Sequence, residues 1–138
     1  MDKTSLDEPL APDVGATLDA SHVMQTPDGP ALRASRCPAC AQPTFPASSV
    51  CPFCLHEGTQ ALPIAGAARL YAFTRVHVAP RQWRTPYAMG YGDFPSGLRL
   101  FAKLSDPDAA WQADQTVTLR IQPAPDGGFR YHFEGAAA

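Results

Sequence analysis

Lysine occurs only twice in this chain, at Lys3 and Lys103, and no long basic tract exists anywhere in it. A surface that neutralises many phosphates needs clustered cations, so this poverty weighs against a general nucleic-acid binder. Uninterrupted apolar stretches fall far short of the roughly 18 residues that a membrane-spanning helix requires. The first twenty residues, MDKTSLDEPLAPDVGATLDA, are acidic and lack the positive n-region and apolar h-region of a secretory leader. A cytosolic setting is therefore expected. Catalytic signatures are missing too: there is no GxSxG elbow, P-loop, HExxH or GxGxxG. His77 and His132 lie in strand-like alternations among basic and aromatic residues, and Asp93 and Asp106 fall at turn-like positions, which gives each an ordinary structural reason to exist. An independent active site has no evident base or nucleophile.

What is present bounds the fold. A chain of 138 residues with 45% apolar content can bury one modest core, or carry a small stapled module on a compact one. The net charge of −2 averages over unlike segments. Residues 1–30 set Lys3 against six acids, residues 31–99 set seven arginines against Glu57 and Asp93, and residues 100–138 are again acidic. The middle is the cationic part, and Arg69, Arg75, Arg81 and Arg84 follow one another there with no intervening acid, a local field that attracts anions.

All four cysteines fall in RCPACAQPTFPASSVCPFC, residues 36–54, as two CxxC pairs with ten residues between them. A disulfide framework suits small secreted chains and not a cytosolic one. A thioredoxin-like motif needs a single CxxC opening a helix, whereas Pro38 and Pro52 follow the first cysteine of each pair and no helical pattern comes after. Metal remains: each CxxC forms a tight knuckle that aims two sulfurs at one point, and a ten-residue spacer accommodates a short hairpin that brings the knuckles face to face. Four thiolates leave no open position on a tetrahedral zinc, so the expected ion is structural, held by Cys37, Cys40, Cys51 and Cys54. Such a site contributes roughly 10–16 kcal/mol of apparent binding free energy, which a segment this poor in large apolar groups cannot replace by burial. His56 is a conceivable substitute ligand, with an exposed loop histidine as its plainer explanation.

Periodicity organises the remainder. Residues 1–17 are rich in Pro, Asp and Ala without strong pattern and are expected to be poorly ordered on their own. Thr26-Pro27-Asp28-Gly29-Pro30 predicts a hairpin turn leading into the first knuckle, so residues 18–62 read as a hairpin plus a four-cysteine zinc ribbon. From Ala68 the chain alternates with period two: Leu70, Ala72, Thr74, Val76 and Val78 form a core-compatible face, and Arg69, Tyr71, Phe73, Arg75 and His77 an aromatic and basic one. PYAMGYGDF and GLRLFAKL predict the next strands, joined at Pro95-Ser96-Gly97, and TVTLRIQ and FRYHF two more. The fold class expected is mostly β, with residues 63–138 closing five strands into an OB-type barrel; an SH3-like barrel fits the same strand count.

Outside the ribbon, TRVHVAPRQWRTPYAMGYGDF concentrates the functional side chains, with Arg75, His77, Arg81 and Arg84 among Trp83, Tyr87 and Tyr91. Guanidinium forks pair with phosphates and aromatic rings stack on flat bases, so Arg75, Arg81, Trp83, Arg84 and Tyr87 are the candidate ligand-binding set, for coenzyme A or a single-stranded nucleic acid. A plain solvated strand and loop is the alternative.

Together, LRASRCPACAQPTFPASSVCPFC, IAGAARLYAFTRVHVAP and PYAMGYGDFPSGLRLFAKL resemble the acyl-CoA-associated OB-fold proteins that carry an N-terminal rubredoxin-like zinc ribbon. The resemblance covers about residues 31–133 and rests on the paired knuckles with Phe45-Pro46 in the spacer, Phe73-Thr74, and Pro86-Tyr87 followed by a Gly-Leu-Arg strand. It implies a ribbon docked on a five-stranded barrel, acting as an accessory subunit of thiolase-like or lipid-transfer-protein-like enzymes in thiolysis, retro-aldol cleavage or acyl transfer on CoA thioesters. The partner of such a subunit carries the reactive cysteine. This sequence departs from the pattern at Asp114, where the family often has glycine, and in a Pro-rich start without the N-terminal helices of many members. Three functions compete: a non-catalytic subunit that joins such an enzyme in a hetero-oligomer and helps bind acyl-CoA, a single-stranded nucleic-acid-binding ribbon/OB protein, and a stand-alone enzyme.

Overall fold

The protein is described here by a computed structural model over residues 18–79, 81, 85–125 and 127–135. Residues 1–17, and with them the expected N-terminal segment, lie outside the described residues. Among the described residues there is no α-helix; nine strands make one four-stranded sheet and one closed barrel.

A single 3-10 turn, Ala20–His22, starts the described chain, and the Asp19 carboxylate accepts from the Ser21 backbone N–H at its N-cap. β1 (Val23–Thr26) and β2 (Gly29–Arg36) then pair across a two-residue loop in which Thr26 faces Gly29. Gly29 has φ +117, a conformation that a side chain resists, and the Thr26 hydroxyl donates to its carbonyl at 2.8 Å. β3 (Pro43–Thr44) and β4 (Gln60–Ile64) both pair with β2. Leu32 of β2 faces Val23 on one side and Ile64 on the other, so β2 is the central strand, buried at Ala31, Leu32, Ala34 and Ser35.

The barrel comprises β5 (Gly66–Val76), β6 (Tyr87–Asp93), β7 (Arg99–Leu104), β8 (Thr116–Pro123) and β9 (Phe129–Gly135). It closes in the order β5-β6-β7-β9-β8, with a parallel β7–β9 pair, Lys103 facing His132 and Leu104 facing Phe133. This Greek-key closure is that of an OB barrel and removes the SH3-like alternative. Leu98, Leu100, Ala102 and Leu104 all point inward, as their alternation predicts, and meet Val117, Leu119 and Phe133.

The alternation expected along β5 does not hold, because a bulge at Tyr71 inserts one residue between the pairs Leu70↔Gly92 and Ala72↔Tyr91. An extra residue reverses the inward parity of everything beyond it. Ala68 and Leu70 are buried, but beyond the bulge Ala72 and Thr74 are exposed, Phe73 turns toward the core, and Val78, past the end of the strand, is 89% exposed. Glycines on β6 give the interior its shape. A Cβ on Gly92 would lie 2.6 Å from Phe133 Cζ, and one on Gly90 2.9 Å from Leu70 Cδ1, so both strand glycines mark close approach across the barrel.

One apolar cluster runs through both sheets: Val23, Leu32, Ala34 and Ile64 of the first pack with Leu70, Leu104, Val117 and Phe133 of the barrel. Edge-on ring contacts continue the seam, His22 to Phe45 at 6.5 Å and Phe45 to Tyr131 at 6.2 Å. Leu18 exchanges two backbone hydrogen bonds with Phe129, at 2.7 and 2.9 Å, and ties the chain's first described residue to β9.

Candidate functional site

The two cysteine knuckles are built alike. In the first, the Ala41 N–H donates to the Cys37 carbonyl at 2.8 Å and the Cys37 N–H to the Gln42 carbonyl at 3.1 Å. In the second, the Leu55 N–H donates to the Cys51 carbonyl at 2.9 Å and the Cys51 N–H to the His56 carbonyl at 3.0 Å. Ala41 and Leu55 hold the equivalent turn position, both at φ +67, where a residue with a Cβ is strained. That turn directs backbone N–H groups at sulfur: Ala39 and Cys40 donate to Cys37 Sγ at 3.3 and 3.4 Å, and Phe53 to Cys51 Sγ at 3.3 Å.

All four sulfurs lie within 4.8 Å of one another, with Cys37–Cys54 and Cys40–Cys51 separations of 3.6 Å. A tetrahedral ion with sulfur ligands at about 2.3 Å sets its sulfurs about 3.8 Å apart, so the donor set has the size and chemistry that zinc requires. Electrostatics agrees. The Cys40 backbone N–H is the main influence drawing the Cys37 thiol down to about 6, while Cys54 is pushed up to about 12. At Cys54 the His56 backbone N–H pulls downward, but burial and the three neighbouring sulfurs outweigh it. Four thiols this close cannot all ionise unless a cation lies among them. The four-cysteine group does not include His56, whose side chain is exposed.

Arg36, immediately before the first knuckle, fixes the centre relative to the barrel. Its Nη1 donates to the Ala41 carbonyl and its Nη2 to the Ser96 carbonyl in the β6–β7 turn, each at 2.7 Å. Sequence reasoning counted this arginine only as charge; its position beside a cysteine carried no signal for the bridge.

Of the candidate ligand-binding set, the structure describes Arg75, Arg81 and Tyr87. Arg75 directs Nε to the Pro107 carbonyl and Nη2 to the Ala109 carbonyl, both at 2.7 Å, and so holds the β7–β8 connection. Tyr87 is buried at the start of β6, Arg81 is exposed, and Trp83 and Arg84 lie outside the described residues. His77 is exposed, and His132 lies 3.2 Å from the Glu134 carboxylate. The barrel's outer surface carries an exposed aromatic group, Tyr71, Tyr91 and Phe101, of which only Phe101 has no place among the aromatic or functional side chains that the sequence singles out. The Tyr91 and Phe101 ring centroids are 4.7 Å apart, and the Arg99 guanidinium lies 3.6 Å above the Tyr71 ring while binding Asp93 through two hydrogen bonds. Tyr91 and Phe101 alternate with inward residues and Tyr71 keeps its expected outward face; the bulge there, which turns Ala72 outward and Phe73 toward the core, has no signal in the sequence.

Among known proteins, residues 29–59 match the family described as ChsH2, rubredoxin-like zinc ribbon domain, and residues 62–122 match ChsH2, C-terminal OB-fold domain. Over 97 residues, 70% of this chain, the sequence is 34% identical to the benzoylsuccinyl-CoA thiolase subunit BbsA of Thauera aromatica and covers 67% of that protein. With BbsA of Geobacter metallireducens the identity is 30% over 94 residues, 68% of this chain and 64% of that one. The fold is similar to a chain of the Ltp2-ChsH2(DUF35) aldolase, with a TM-score of 0.65 and 24% identity over 78% of this chain and 86% of that one. A DUF35-family protein of unknown function from Sulfolobus solfataricus is also similar, with a TM-score of 0.51 and 15% identity over 75% of each chain. Two knuckles with converging sulfurs, a barrel closed through a parallel pair and these matches along most of the sequence place the chain in the ChsH2 family of rubredoxin-like zinc ribbon and OB-fold proteins.

Proposed function

We propose that this chain is a non-catalytic accessory subunit that assembles with a thiolase-like or lipid-transfer-protein-like enzyme and helps to bind its acyl-CoA substrate. Its ribbon holds a structural zinc on Cys37, Cys40, Cys51 and Cys54. When bound, that ion supplies charge to four thiolates and cross-links two loops; with four protein ligands it offers no position to a reactant. Arg36 transmits the rigidity so gained to the β6–β7 turn. The observation that supports the subunit reading most directly is the 34% identity with a benzoylsuccinyl-CoA thiolase subunit over 70% of this chain. For the CoA side, we assign the β5–β6 connection with Arg81, Trp83 and Arg84 as the cationic segment nearest the ligand.

Affinity capture of the tagged full chain from its native cells, with mass spectrometry of what is retained, tests the assembly. A stoichiometric thiolase-like or lipid-transfer-protein-like partner is expected, and turnover of a CoA thioester should appear only in the complex. A lone chain that loads zinc, captures no such enzyme and binds no CoA refutes the reading. Salt-dependent binding of single-stranded oligonucleotides in its place would identify a nucleic-acid protein instead.

A further inference from the structure

The two cysteine knuckles share a backbone but not a surface. Position for position, Ala39 and Ala41 of the first correspond to Phe53 and Leu55 of the second. Phe53 is 64% exposed and Leu55 73%, and Val50, just before the second knuckle, is 40% exposed. Neither Phe53 nor Leu55 joins the apolar cluster that runs through both sheets. At Leu55 the choice of residue is doubly unfavourable in the isolated chain. Its φ of +67 suits glycine or asparagine and strains a residue with a Cβ, and its side chain meets water where a turn ordinarily places a polar group.

The loop that carries these side chains is braced. The Ser48 N–H donates to the hydroxyl of the buried Ser35 on β2 at 3.1 Å, the Gly58 N–H donates to the Ser49 carbonyl at 2.8 Å, and the knuckle closes between Cys51 and His56. A rigid apolar knob loses little conformational freedom when it is covered. Charge around it has one sign: from Cys37 to Ala68 the only Asp, Glu, Lys or Arg is Glu57, which is exposed. Four thiolates outweigh a divalent ion, so the loaded centre beneath the knob is anionic too. Arg36 is turned to the Ala41 and Ser96 carbonyls, on the side of the first knuckle and the barrel. The complement of this tip is an apolar hollow with a basic rim. Three side chains of this size cover on the order of 300 Å². A stable interface takes roughly 800 Å² from each subunit, so two copies meeting knob to knob fall short, and like charges would oppose them. A concave surface on a larger protein, closing around the whole loop, supplies the rest.

We propose that Phe53 and Leu55, with Val50 behind them, are the anchor by which this chain docks into an apolar, basic-rimmed hollow on its enzyme. The inference rests on the accessory-subunit reading and adds to it the surface of this chain that meets the thiolase-like or lipid-transfer-protein-like partner. The metal holds the anchor in shape, and the second knuckle carries the contact that the first, with alanine at both positions, lacks.

Binding kinetics on an immobilised, zinc-loaded full chain test this, with the enzyme captured by the parent chain as the probe. Phe53→Ala and Leu55→Asn should each weaken the complex roughly 10- to 30-fold, as loss of an interface anchor does. Leu55→Asn should do so at full zinc content and with a melting temperature level with the parent or above it, because asparagine tolerates the turn. A leucine with only a structural role would lose stability along with affinity. Ala41→Asn makes the same exchange on the first knuckle and should leave the enzyme's affinity unchanged. Glu57→Gln should slow association and flatten its dependence on salt. Unchanged affinity in the double variant Phe53→Ala/Leu55→Asn overturns the proposal, as does an association rate insensitive to both Glu57→Gln and salt. Self-association of the free chain that the double variant abolishes would make a second copy the occupant and also overturn it. A parent chain that captures its enzyme while the variants bind equally well refutes the anchor alone; one that captures no such enzyme refutes the accessory-subunit reading and the anchor with it.

Discussion

Gly92 on β6 gives the most quantitative check on the barrel. Its Cα faces the interior between Leu70 and Leu100, and a methyl group placed there would meet Phe133 Cζ at 2.6 Å, Phe133 Cε2 at 3.0 Å and the Ala68 Cβ at 3.2 Å. Phe133 is fully buried, its ring 6.1 Å from that of Phe94, and has no solvent side to retreat to. Overpacking a filled core costs about 1–3 kcal/mol, while replacing a strand glycine by alanine returns about 0.4–1 kcal/mol by restricting the unfolded chain. Gly92→Ala should therefore destabilise by about 1–2 kcal/mol net, a fall in Tm of roughly 4–8 °C for a chain of this size. Gly135→Ala is the internal control: its methyl would stand 3.4 Å from Trp111 Cζ3, an ordinary contact, so only the entropic gain should remain. Thermal melts under reducing conditions with excess zinc read both variants. Combining Gly92→Ala with Phe133→Leu should recover part of the loss as a coupling of about 0.5–3 kcal/mol. If Gly92→Ala melts with the parent, or if the double variant shows no coupling, the interior is not packed as described.

Three other outcomes follow from the same geometry. Cys51→Ser removes one of four converging thiolates and should abolish stoichiometric zinc by elemental analysis and unfold the ribbon; full metal content and an unchanged melt would show that the ligand set is misassigned. Arg75→Met should free the connection after β7 from the carbonyls of Pro107 and Ala109, at a cost of about 1 kcal/mol, with faster amide exchange at residues 107–111; an unaltered exchange pattern would show that the guanidinium does not anchor this segment. Glu134 is held below its usual value of 4.5, first by the Arg120 side chain and then by His132. A depressed carboxylate stabilises the fold above its unfolded pKa and loses that contribution as pH falls through the lower folded value. Because the carboxylate is 39% exposed, solvent screening holds this well under 1 kcal/mol, so Glu134→Gln should flatten the stability profile only slightly, and only below about pH 4.5.

The convergence of the four cysteines was legible because CxxC spacing is a local property: a knuckle is formed by six residues that hydrogen-bond among themselves, and nothing distant needs to be known. The strands around Leu98–Leu104 and Val117–Ile121 were legible for a similar reason, since one wet and one dry face impose alternation. Long-range closure was not. The parallel contact of β7 with β9 involves only Lys103, Leu104, His132 and Phe133, and no pattern in either segment announces it. The Tyr71 bulge reversed an otherwise regular alternation, so Ala72 and Thr74 were assigned to the core and Phe73 to the surface, the opposite of their places. Residue type alone places Arg75 and Tyr87 in a ligand set; it does not show that the Arg75 guanidinium holds the Pro107 and Ala109 carbonyls or that Tyr87 is buried. Gly90 and Gly92 could have been read as points of close approach, because glycine inside a strand pattern asks for such a reason.

The apolar seam between the sheets limits how this molecule can be taken apart. Val23, Leu32, Ala34 and Ile64 belong by connectivity to the segment that carries the knuckles, yet they share one buried cluster with the barrel's core residues, and only Ala65 separates Ile64 from the first residue of β5. Severing the chain there would leave two fragments, each with a wet scar where the other had been. A ribbon grafted from a relative would have to bring its own complement to that scar, so exchange between family members should succeed as whole chains and fail at the hinge.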